Sequence, residues 1–137
     1  MVVRFLGVAY AVGVRARLAA RLGDWRTALR GAVDSVERAL QLGDHGVVSR
    51  SLYTAGVALC ALGSYEPAAV LFGKSATMAQ RWGAESTLEM LAATDAALLE
   101  ALGEQQVATL AARGAALDLT DAVAYLRVEA DRALATP

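Results

Sequence analysis

At 137 residues the chain suits one domain and is long enough to bury a core without disulfides. Apolar residues make up 56% of it and charged residues 20%. That exceeds the roughly 45–50% apolar content usual for soluble domains, and alanine carries most of the excess. The net charge of −1 conceals an asymmetry: eight basic against four acidic side chains up to Arg50, then five against ten. A basic front and an acidic back suit head-to-tail contact or a phosphate-bearing partner, but no Lys/Arg cluster is dense enough to indicate direct nucleic-acid binding. Cys60 stands alone, so neither an intrachain disulfide nor a thiolate metal cluster is available, and a reducing, cytoplasmic setting is expected.

From Val2 to Leu22 the pattern is helical, with Leu6, Tyr10, Val14 and Leu18 in i, i+4 succession on one face. The apolar run from Phe5 to Val14 is too short to cross a bilayer, which takes about 20 residues, so a buried helix rather than a membrane segment is expected. Arg15 and Arg17 follow it directly, which argues against a signal peptide. Gly23 is placed to end this helix and Asp24 to cap the next, Trp25 to Leu42, whose stripe is Trp25, Leu29, Ala32, Val36 and Ala39/Leu40. The polar turn 43–46 marks a unit boundary, with His45 as a surface turn residue.

A helix over Val47–Leu62 follows, with Leu52, Ala55, Gly56, Leu59 and Leu62 inward. After Gly63, Ser64 is the expected N-cap of a helix to Trp82 that turns Ala68, Phe72, Ser75/Ala76 and Ala79 inward and ends at Gly83. Ala84–Leu102 reads as helix, and Glu104–Arg113 as a short partner stopping at Gly114. A connector over Ala115–Leu119 then leads to Thr120 as N-cap and a last helix over Asp121–Leu134.

Three stretches organise this order. Leu22-Gly23-Asp24-Trp25, Leu62-Gly63-Ser64-Tyr65 and Leu102-Gly103-Glu104-Gln105 recur every forty residues, each with an alanine five positions after the glycine (Ala28, Ala68, Ala108). The expected architecture is all-α. Antiparallel helix pairs stack as a short right-handed solenoid of about seven helices, with units at about 1–43, 44–83 and 84–119 and a capping helix at 120–135.

The second unit resembles the tetratricopeptide repeat (TPR), with Leu52, Gly56, Leu59, Gly63, Tyr65, Ala68 and Phe72 at that family's signature spacings. Unit one keeps Gly23, Trp25 and Ala28 but has Ala16 and Ala32 in place of a glycine and a large aromatic; unit three has Gln105 in place of the turn aromatic. The period of forty exceeds the family's own. From Ala112 to Tyr125 the chain is similar to the close of the TPR-like region in large actinobacterial ATP-binding regulators of the LuxR and adenylate-cyclase-like groups. The resemblance implies a docking or sensing segment of a signalling or transcriptional system and carries no activity with it.

The residues themselves offer no catalytic, metal-binding or cofactor-binding set. One His and one Cys make neither a zinc site nor a nucleophile–base pair. Glu85 and Glu89 share a helical face near a helix start, where carboxylates favour the helix dipole. No glycine loop is followed by Lys-Ser/Thr. Trp25, Tyr65 and Phe72 are expected to wedge helix against helix, and Cys60 to act as a small hydrophobe. The expected function is therefore a non-enzymatic protein–protein interaction module, binding a peptide, a partner helix or itself as a homodimer through the N-terminal helix. The alternative is a small-ligand sensor with the effector in the concave groove. Candidate contact residues are Leu6, Tyr10, Arg26, Arg30 and Tyr53.

Overall fold

The structure, a computed structural model, describes the backbone of residues 12–13, 15–82 and 86–136, together with their side chains apart from those of 79–93. Among the described residues there are seven helices and no strand. They are α1 over 15–21 (12–13 is also helical), α2 (Trp25–Leu42), α3 (His45–Ala61), α4 (Tyr65–Trp82), α5 (Ser86–Leu102), α6 (Glu104–Ala116) and α7 (Leu119–Ala135). The expectations for Leu6, Tyr10, Gly83, Glu85 and Glu89 lie outside the described residues or side chains.

The first three helix junctions are built alike. Gly23, Gly43 and Gly63 take positive φ (77°, 72° and 87°), a conformation only glycine adopts without strain. At each one the glycine N–H donates three residues back, to Ala20, Leu40 or Cys60, and the following N–H donates five back, to Ala19, Ala39 or Leu59. This double closure satisfies carbonyls that a helix end otherwise leaves bare. Asp24 then accepts from the Thr27 N–H at 3.3 Å and Asp44 from the Val47 N–H at 3.2 Å, each cap worth about 1 kcal/mol.

Packing follows chain order at first. Helix α2 lies on α3 and α3 on α4. Helix α3 is covered almost all round, with every residue from Val47 to Gly56 buried except Arg50. Leu29, Leu52, Leu59, Leu71, Leu98 and Leu126 are fully buried, each side chain contributing about 1.5–3 kcal/mol. Phe72 fills the notch that Gly56 leaves, since a Cβ there would press into its ring. Of the three aromatics expected as wedges, Phe72 is buried, Trp25 half-buried and Tyr65 exposed.

Beyond α4 the order changes. Helix α6 packs directly on α4, their backbones nearly touching where Gly73 meets the Ala111 carbonyl and Gly114 meets that of Val70. Helix α7 then packs against α2, α3 and α4, adding Val123, Leu126 and Ala130 to the same core. Long-range polar contacts hold it there. The Arg26 guanidinium donates to the carbonyls of Leu134 and Thr136, and Arg127 pairs with Glu37 at 3.1 Å.

Four expectations are corrected. Gly114 does not stop α6, which runs on to Ala116; the residue is kept small by the α4 backbone rather than by a turn. The cap of α7 is Asp118, accepting from the Asp121 N–H at 2.8 Å, so Thr120 lies inside the helix. His45 opens α3 rather than sitting in a turn, because Asp44 caps the helix one residue earlier. Leu18 faces outward, because α1 packs through Ala16, Ala19 and Ala20, with Ala16 close against Gly31 of α2.

Candidate interaction surface

The inward face of α1 consists of small residues, which lets the helix sit close on α2 and turns its large side chains out. Leu18 is 57% exposed and Leu22 77%, one turn apart. They continue the four-residue series Leu6, Tyr10, Val14 noted in the sequence. Arg15 and Arg21, both exposed, flank the two leucines on the helical wheel, and neither forms an ion pair among the described residues. The result is an apolar ridge bordered by cations. Such a ridge is the kind of surface a partner covers, because exposed leucines cost about 25 cal/mol per Å² left in water.

A second feature lies between α1 and α3. A small open cleft enclosing about 10 Å³ is lined by Gly13, Arg17, Val47, Arg50, Ser51 and Thr54. Its hydroxyl protons are committed elsewhere. Ser51 donates to the Ser35 hydroxyl at 2.9 Å, and Thr54 donates to the Arg50 carbonyl at 3.0 Å. The guanidinium of Arg17, half-buried at the cleft, is therefore its principal donor toward any ligand. Sequence reasoning did not single out this cleft. Its one visible trace is Ser35 and Ser51, polar residues at core positions that satisfy each other across α2 and α3.

The remaining candidates are scattered. Arg26 is spent on the last carbonyls of α7, while Arg30, one turn further along α2, is exposed. Tyr53 is 5% exposed and tilted against Phe72 with ring centroids 5.5 Å apart, so it contributes to packing and offers no contact surface. Its hydroxyl makes no hydrogen bond of normal geometry among the described residues, although Thr94 lies close by. Burial pushes its pKa up to about 12, with the neighbouring Asp95 carboxylate adding to the rise and Thr94 opposing it. Cys60 is buried and its thiol is pushed up by that burial, away from nucleophilic reactivity. Among the described residues no group of three or more His, Cys, Asp or Glu converges as a metal site would require, and no helix is long and apolar enough to cross a membrane.

Comparison with family models, with curated proteins and with solved structures gives no match.

Proposed function

We propose that this chain is a non-enzymatic protein–protein interaction module, built as a TPR-like solenoid of helix pairs with a forty-residue period. The repeated closure at Gly23, Gly43 and Gly63 supports that architecture. A hydrogen bond from the Gln106 amide to the Glu66 carboxylate at 3.1 Å also joins positions forty apart, although there α6 packs on α4 rather than pairing with α5. The observation that carries the functional reading is the ridge of Leu18 and Leu22 on α1, left in solvent while the opposite face of that helix is packed. In keeping with the resemblance of residues 112–125, the proposed setting is a cytoplasmic bacterial signalling or transcriptional-regulator system. The partner is a protein rather than nucleic acid or membrane.

Photo-crosslinking tests this reading. A photoreactive residue at position 22 in cells expressing the chain should give a discrete covalent protein adduct that Leu18→Glu abolishes, whereas one at exposed Gln105 should not. Absence of any adduct at position 22 overturns the module reading.

The cleft between α1 and α3 supports a second reading, a sensor for a small anion held by Arg17. The space it encloses is only about 10 Å³, room for about one water, which makes it the lesser proposal. Stabilisation by an anionic metabolite in a thermal-shift screen, lost in Arg17→Ala, would establish it. A screen without any stabiliser would remove it.

A further inference from the structure

Resting on the interaction-module reading, we infer that the α1 ridge takes the outer face of α5 of a second copy of this chain, so that copies join head to tail.

Three observations converge on this contact. The first is the chemistry of the two faces. On α1, Leu18 and Leu22 lie between the cations Arg15 and Arg21. On α5, Leu99 is 45% exposed beside exposed Ala96, with the exposed carboxylates Asp95 and Glu100 bordering it. Each is an apolar strip edged by charge, and the signs are opposite. Glu100, like the two arginines, has no ion pair among the described residues.

The second is place in the fold. Helices α1 and α5 each precede a positive-φ glycine, Gly23 and Gly103, which stand two forty-residue periods apart. The two helices thus hold corresponding places in the forty-residue sequence pattern, toward opposite ends of the chain. The third is the position of α7. Among the described residues it packs on α2, α3 and α4. It does not cover Leu99, so the side of α5 on which a closing helix was expected stays open.

Charge also selects against the other self-association available. Two α1 ridges paired face to face would set arginine against arginine, which repels, and would leave Leu99 and Glu100 uncovered. A head-to-tail contact is heterologous, so one copy's head engages the next copy's tail and each pair keeps a free end of each kind.

The test is solution mass by light scattering over a concentration series, with circular dichroism to confirm that the variants keep their helicity. All substituted positions are exposed, so folding is not at stake. The wild-type chain should gain mass with concentration. The head variant L18K/L22K and the tail variant L99K/E100K, whose altered surfaces are both cationic, should each self-associate on the order of tenfold more weakly or not at all. Mixed together they should form a 1:1 pair that grows no further, because only one native head and one native tail remain. High salt should weaken the wild-type contact.

A wild-type monomer at every concentration overturns the inference. So does a tail variant that associates like wild type, since that places the contact elsewhere, and so does a mixture that fails to pair. None of these removes the module reading, which fails only if position 22 crosslinks to no protein at all. An adduct to another protein with a monomeric wild type would separate the two.

Discussion

The junctions at Gly23, Gly43 and Gly63 and the region from Gly103 to α7 solve the same problem by different means. At the first three, the helix ends and restarts through bonds reaching five residues at most, with an aspartate cap at two of them. Gly103 also takes positive φ, but its ψ is extended, its N–H makes a single bond to Leu99, and no side chain caps α6. Apart from the Asp118 cap of α7, what fixes α6 and α7 is distant: the glycine crossing on α4, the Lys74 ammonium on the Leu117 carbonyl, Arg26 on the end of α7, and the Glu37–Arg127 pair. The front half is held locally and the back half by tertiary contact. Helical periodicity therefore places α2 to the residue, yet says nothing of where α7 lands.

Substitutions can break that contrast at graded cost. The largest effect is expected at the α4–α6 crossing. Gly114→Val drives a side chain into the Val70 carbonyl and should destabilise by about 3 kcal/mol or more in denaturant unfolding. If the loss stays under 1 kcal/mol by the same measure, the helices do not cross there. Arg26→Ala comes next. It leaves the α7 carbonyls to water and should cost about 1–2 kcal/mol, with faster amide exchange confined to α7 and the first turn of α2. Uniformly faster exchange would mean that α7 is not separately held.

Asp44→Ala should cost about 1 kcal/mol, nearly additive with Asp24→Ala because the two caps share no partner. Strong coupling between them would show that the junctions are not independent. The smallest effect concerns Tyr53. Its folded pKa is raised from 10.0 to about 12, so the folded state favours the neutral phenol. That contribution is present in full below pH 10 and is lost as the pH rises towards about 12. Tyr53→Phe should be neutral or stabilising by up to about 1 kcal/mol near pH 7, since it removes a buried hydroxyl without a well-formed partner. It should also flatten this part of the alkaline decline in melting temperature; an unchanged decline would mean that Tyr53 does not drive it.

What the sequence made legible follows the same division. The bounds of α2 and the glycine turns were readable because caps and C-terminal glycines act over a few residues. Gly114 misled because a glycine at a helix end and a glycine under a neighbouring backbone look identical in one dimension. Leu18 misled because periodicity identifies an apolar face but not which face a helix packs through, and α1 packs through alanines. The cleft between Arg17 and Arg50 was invisible because its residues come from two helices whose relative placement only packing decides. Arg26 was singled out for its charge, but its partners lie 108 and 110 residues away.

That separation has a kinetic consequence. The glycine junctions can form as soon as each helix pair exists, because their partners are near neighbours in the chain. The bond from Arg26 to the end of α7 must close a loop spanning most of the protein, and loop closure imposes its entropy cost before the contact returns anything. Helix α7 is thus expected to dock after the α2–α4 junctions have formed. For as long as it is away, Val123, Leu126 and the groove beneath them face solvent together.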